Sequence, residues 1–205
     1  MKEEKDYTRD IAEIRSMMER SSKFMSLSGR TGILAGIYAL AGAYIAWKVF
    51  DFNPQELVYH SPESGPGFLN VFLLSGIVLA LAIGTAILDS YLKARKKGET
   101  AWNAISRRLL ANMAAPLIAG GILILVLISD GVIGLVAPLT LIFYGLALFN
   151  AGNFTYQAVR ILGLVQITLG LISCWFIEYG LLIWTVGFGL GHIVYGIYMH
   201  YKYER

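Results

Sequence analysis

Cysteine and histidine are scarce, and their scarcity removes whole classes of chemistry. Cys174 is the single cysteine and lies inside an apolar run, so an intramolecular disulfide is impossible. The three histidines, His60, His192 and His200, stand apart, and no His-x-x-His pair or carboxylate–histidine cluster offers zinc or di-iron ligands. A Gly-x-Ser-x-Gly elbow and a phosphate loop are missing as well. No catalytic constellation is found, so the expectation is that the chain is not an enzyme and uses no cofactor or metal. Charge is thin: Asp, Glu, Lys and Arg make up 15% of 205 residues against 56% hydrophobic content. That balance is too apolar for a soluble domain of this size and leaves no room for a separate catalytic domain.

What the chain does have is six apolar stretches, at 31–50, 68–91, 113–129, 132–150, 159–177 and 180–199. A helix needs roughly 20 apolar residues to cross about 30 Å of hydrocarbon. The expected fold class is therefore all-α integral membrane: six transmembrane helices in antiparallel hairpins, both termini cytoplasmic. Residues 1–30 form a cytoplasmic or interfacial amphipathic leader, and 31–205 form the transmembrane domain. Tight turns at Ser129-Asp130-Gly131 and Glu178-Tyr179-Gly180 make the last four spans two hairpins.

The basic residues agree with this drawing. Of 17 Lys and Arg, 16 fall on the inner side and only Lys48 on the outer side. Against nine acids inside and five outside, the inner face carries +7 and the outer face −4. Such asymmetry orients a polytopic protein with both ends in the cytoplasm. The partners it implies are the bilayer and anionic lipid at the cytoplasmic face, not nucleic acid.

Two segments carry patterned charge. In residues 10–28, Ile11, Ile14, Met18 and Met25 share one helical face, with a Glu19–Lys23 pair on the other. This reads as a helix lying at the inner interface, with a homodimer or a cytoplasmic protein partner as the alternative use of its face. Between spans two and three, Lys93, Arg95, Lys96 and Lys97 are followed by Trp102, Ile105 and Leu109 at helical spacing, beside Arg107 and Arg108. That pattern predicts a second interfacial helix. Asn112 and Asn150 are expected to cap or anchor the inner ends of spans three and four. Pro116 falls in the first turn of span three, where it is harmless, whereas Pro138 falls inside span four and should kink it.

Within the spans, Gly32/Gly36 and Gly187/Gly191 are four residues apart, a spacing that lets helix backbones approach closely. Gln166 and His192 each lie seven residues from the inner end of neighbouring spans, so a hydrogen bond between them across the hairpin is expected. Its plain role is an interhelical clamp; the sharper one is a proton- or ligand-linked site, since polar groups in hydrocarbon often mark function. Trp184, Phe188, His192, Tyr195 and Met199 share one face of the last span. Asp89, one turn before Lys93, reads as half of an interfacial ion pair, with a proton carrier as the alternative.

The two hairpins also repeat a pattern: Ile142-Phe143-Tyr144-Gly145-Leu146 in one, Ile193-Val194-Tyr195-Gly196-Ile197 in the other. With Gly120-Gly121, Asp130-Gly131, Gly163, Gly170 and Gly180, residues 116–199 resemble the hairpin units of HdeD-like bacterial membrane proteins. The resemblance implies a six-span protein of the bacterial cytoplasmic (inner) membrane, of a family with some members linked to acid stress. The charged leader and the outer loop depart from that family and look more like a group of small bacterial six-span proteins. No family catalytic residue carries over. The expected function is a non-enzymatic inner-membrane protein of sensory, stress-related or scaffolding type with a basic cytoplasmic face. The alternative is a small transporter or channel with an intramembrane polar site at Gln166 and His192.

Overall fold

The computed structural model describes residues 28–52, 66–96 and 102–204, together with Gly98 and Thr100. The leader residues Ile11, Ile14, Met18 and Met25 lie outside the described residues, as does most of the loop before the second span. Among the described residues the chain is helical, with no strand. The elements are α1 (Gly29–Lys48), α2 (Pro66–Lys96), α3 (Ala104–Ser129), a 3-10 turn (Ile133–Leu135) leading into α4 (Val136–Ala151), and α5 (Gln157–Trp175). A second 3-10 turn (Ile177–Tyr179) opens a final rod of α6 (Gly180–Trp184), a π-helical segment (Thr185–Gly191), α7 (His192–Met199) and a π-helical tail (His200–Glu204).

Five stretches are long and apolar enough to cross a membrane: Leu69–Lys96, Ala104–Ser129, Ile133–Ala151, Gln157–Trp175 and Ile177–Tyr203. α1, drawn in the sequence as the first span, is a 20-residue helix but is not one of these five. Its composition explains why: glycine and alanine dominate its apolar positions, and Arg30 and Lys48 sit at its ends. Small side chains lower hydropathy while permitting close packing, and α1 uses them for the latter.

The helices alternate in direction. Thr31 on α1 meets Asp89 on α2, Gly120 on α3 meets Phe143 on α4, Gly145 meets Gly163 on α5, and Gln166 meets Gly187 on the final rod. α1 in turn lies antiparallel on the final rod, where a Cβ at Gly36 would stand 2.6 Å from the Gly189 carbonyl. The rod thus sits centrally, with α1 on one side and α4 and α5 on the other. α2 packs chiefly on α1 and α3 chiefly on α4, at opposite margins of the bundle. No residue in the apolar window of α2 is buried. Leu69, Phe72, Leu73, Ile77 and Ile87 are among its exposed side chains.

Local chemistry sets the boundaries. Ser28 caps α1, its hydroxyl oxygen accepting the Thr31 N–H at 3.2 Å. Asn103 caps α3 through bonds from the Ile105 and Ser106 amides at 3.0 and 2.9 Å, and its own N–H reaches Ser106 Oγ at 2.8 Å. This reciprocal box satisfies donors that a helix start leaves orphaned. α3 ends on Gly131, whose φ of +77° suits glycine, with the Val132 N–H returning to the Leu127 carbonyl at 2.8 Å.

These boundaries correct three expectations. The basic stretch around Arg107 and Arg108 is not a separate interfacial helix; capped at Asn103, it is the first part of α3. Asn112 therefore lies inside α3 and caps nothing: its amide donates to the Arg108 carbonyl at 2.8 Å. The prolines exchange roles for the same reason. Pro116 falls well inside α3, whereas Pro138 falls in the first turn of α4, where a missing N–H breaks no helical bond. The carbonyl that Pro116 cannot serve, four residues back, is that of Asn112, and Asn150 Nδ2 donates to it at 3.4 Å. Asn150 is an anchor between α4 and α3, as its position suggested.

Candidate functional site

Two buried polar side chains, Gln166 and His192, converge on one backbone carbonyl. Gln166 projects from α5, fully buried, and its Nε2 donates to the Gly187 carbonyl at 2.8 Å. His192 is 6% exposed; its Nδ1 lies 3.4 Å from the same carbonyl, and its Nε2 lies 2.9 Å from the Tyr144 hydroxyl of α4. A carbonyl can only accept, so Nδ1 carries the ring proton. In the neutral imidazole Nε2 is then an acceptor, and the Tyr144 hydroxyl donates to it. Gln166 and His192 thus share an acceptor and do not bond each other directly. Sequence spacing put them at the right depth and missed both the carbonyl between them and Tyr144.

Gly187 makes this convergence possible. A Cβ there would stand 2.6 Å from Gln166 Oε1 and 2.6 Å from Leu141 Cδ2, so any side chain would displace the amide. Gly187 also lies in the π-helical segment, a widened helical form found frequently at functional sites. Its expected partner Gly191 behaves differently: no atom comes closer than 3.5 Å to a Cβ built there. Gly32 and Gly36 do pack as expected, against Tyr195 and against Gly189 with Ile193. The seam also includes Gly29, Gly189 and Gly196, which the four-residue spacing alone does not assign to it. The signal was present: Gly29, Gly32 and Gly36 are spaced by three and four, and Gly189 and Gly196 by seven, each set on one helical face.

Aromatic rings enclose the imidazole. Phe188 stacks parallel to it at 5.7 Å and 5°, Trp184 packs on Phe188 at 4.8 Å, and Tyr144 lies 5.0 Å from Phe188. Below them, Tyr144, Tyr195, Met113 and Phe154 pack around the core of Leu109, Leu148, Ala151, Val159 and Leu162. The shared face of Trp184, Phe188, His192, Tyr195 and Met199 is thus a packed interior, with Met199 completely buried. Two polar atoms there remain unmatched. Gln166 Oε1 and Ser173 Oγ, two turns apart on the same face of α5, are buried with no hydrogen-bond partner.

Asp89 lies apart from this cluster. Its Oδ2 accepts from the Thr31 hydroxyl at 3.1 Å. The Thr31 oxygen is in turn 2.9 Å from Ser28 Oγ. With the Thr31 proton committed to Asp89, Ser28 donates to Thr31, and the chain Ser28–Thr31–Asp89 fastens α2 to the start of α1. Trp102, Arg107 and Arg108 are all exposed at the α3 end of the same face of the bundle. Among the described residues no group of three His, Cys, Asp or Glu could hold a metal ion. Chemically, the interior offers an imidazole bonded to a phenol and to a backbone carbonyl that it shares with an amide, an arrangement suited to fixing helices or to passing a proton over a short distance. No protein-family model, curated protein or solved structure matches this chain.

Proposed function

We propose that this chain is a non-enzymatic bacterial inner-membrane protein of sensory, stress-related or scaffolding type. It has six spans, both termini cytoplasmic, and a basic cytoplasmic face made by the leader helix, the end of α2 and the start of α3. α1 is the first span, completed by its seam with the final rod. The exposed apolar sides of α2 and α3 face lipid, because a soluble protein does not leave such surfaces in water. The observation that carries the reading is the closed interior: Tyr144 of α4 and Gln166 of α5 both spend a donor on the final rod, on His192 and on the Gly187 carbonyl, while Arg107 and Arg108 stand exposed at one end. Such a molecule presents a surface and holds a shape. Cytoplasmic proteins crosslinked in cells to the full chain, compared with a chain lacking residues 1–28 and with Arg107→Gln/Arg108→Gln, test it. Identical partners and phenotype in all three would sink the scaffold reading.

One observation favours a second reading, a small transporter or channel. Gln166 Oε1 is buried and unmatched beside a π-helical segment, as expected of a site that accepts a donor from a passing ligand. Flux across proteoliposomes decides it: transport that survives both His192→Ala and Gln166→Ala removes its basis, and absence of flux in the native chain does the same.

A further inference from the structure

An open hollow lies away from the buried clamp, where α4 turns into α5. It is a pocket of about 410 Å³ beside Gly152, and Asn153, Thr155, Gln157, Arg160, Ile161 and Leu164 line it. Four of these form one stripe of α5: Gln157, Arg160, Ile161 and Leu164 are spaced by three, one and three, the pattern of a single helical face. The stripe changes character along the helix. Its first turn is polar and cationic; from Ile161 onward it is apolar, with Ile161 and Leu164 about half exposed. Leu164 lies four residues, or about 6 Å, beyond Arg160 along the axis.

Arg160 is held in place and chemically unspent. Its guanidinium lies over the Phe149 ring at 4.4 Å, and a Cβ at Gly152 would stand 2.5 Å from the Arg160 Cβ, so only glycine lets the loop pass so close. Among the described residues it has no carboxylate partner. The side chains of Asn153 and Gln157 make no hydrogen bond among the described residues either, the Asn153 N–H being bonded to the Asn150 carbonyl at 3.2 Å. Thr155 is spent inward, its hydroxyl donating to the Ala151 carbonyl at 3.0 Å. α5 starts without a side-chain cap. The level is that of an interface: Tyr156 and Tyr203 pack against each other there at 4.3 Å.

We infer that this pocket binds the phosphate of an anionic phospholipid, with one acyl chain lying over Ile161 and Leu164. A guanidinium fork matches a phosphate, and Asn153 and Gln157 supply further donors. A soluble phosphate would use the polar half alone. The continuous apolar wall below Arg160 is what selects a lipid. The inference deepens the proposed basic cytoplasmic face, and rests on that reading only for the leaflet from which the lipid comes.

The test uses the full chain, purified in an uncharged detergent and titrated with dioctanoyl phosphatidylglycerol, dioctanoyl phosphatidylcholine and glycerol phosphate, with bound molecules counted by native mass spectrometry. Phosphatidylglycerol should bind about tenfold more tightly than phosphatidylcholine, a difference of about 1.4 kcal/mol. Arg160→Gln should abolish that preference, Arg160→Lys should keep part of it, and Arg107→Gln/Arg108→Gln should leave it intact. Leu164→Gln, at an exposed position that does not endanger folding, should weaken both lipids. An unchanged preference in Arg160→Gln overturns the site, and competition by glycerol phosphate as strong as that by phosphatidylglycerol overturns the lipid assignment. The leaflet is read separately: Asn153→Cys, in a Cys174→Ser background, should react with an impermeant maleimide only in inside-out vesicles. Reaction from the outside would overturn the cytoplasmic placement and not the pocket.

Discussion

The Tyr144 hydroxyl donates to His192 Nε2 across 2.9 Å, joining α4 to α7, a helix that runs parallel to it. With the Gln166–Gly187 bond from α5, three helices are tied at one depth by two contacts. Tyr144→Phe leaves Nε2 buried without a donor while changing little else. A double-mutant cycle of Tyr144→Phe with His192→Phe, measured by reversible unfolding in detergent, should give a coupling of about 0.6 kcal/mol. A coupling indistinguishable from zero would mean the contact contributes only packing.

Gln166 separates donor from acceptor. Its Nε2 is used and its Oε1 is not, so replacing the whole amide loses one bond and relieves one unmatched atom. Gln166→Met should therefore be nearly neutral in thermal stability. Gln166→Glu places an oxygen against the Gly187 carbonyl and a charge in the interior, and should destabilise by about 3 kcal/mol. Equal melting temperatures for the two variants would contradict this account.

The seam between α1 and the final rod predicts opposite outcomes for two chemically identical changes. At Gly36 a methyl would meet the Gly189 carbonyl at 2.6 Å and the Ile193 amide nitrogen at 3.0 Å, both backbone atoms that cannot rotate away. Gly36→Ala should lower the melting temperature. At Gly76, on the open side of α2, nothing lies within 4 Å. Gly76→Ala should be neutral or stabilising by up to about 1 kcal/mol, the helix-propensity gain. Parallel shifts in both variants would show that the seam is not tight.

Asn150 and Pro116 should be coupled although they never touch. In the native chain Asn150→Ala removes the side-chain donor from the Asn112 carbonyl and should destabilise by about 1 kcal/mol. In a Pro116→Ala background the helix supplies its own N–H to that carbonyl, so the same change should cost less. Equal losses in both backgrounds, measured by denaturant unfolding, would break the proposed link.

How much of this was legible depends on the range over which each interaction acts. Hydropathy runs located the apolar body of each helix, because a long apolar helix is specified by its own composition, but they began α3 at 113 where it starts at Ala104. The Gly32/Gly36 seam was legible as well, since spacing alone places small residues on one face. The prolines were misassigned because their effect depends on where the helix starts. That start was set by Asn103 and Ser106, a reciprocal cap hidden inside a basic stretch that looked like a separate element. Gln166 and His192 were found because they are polar in apolar surroundings. Their partner was missed because it is a main-chain carbonyl, and every residue has one.

The sequence by itself determined the all-helical class and the apolar character of the five long helices among the six stretches it offers, consequences of side-chain transfer energies summed along one segment. Only the tertiary structure decided that α1 lies on the final rod, that Tyr144 and not Gln166 meets the imidazole, and that Arg160 overlooks a hollow with an apolar wall. Those relations depend on the rotation of each helix about its axis, and rotation is fixed by the fit of one helix surface against another.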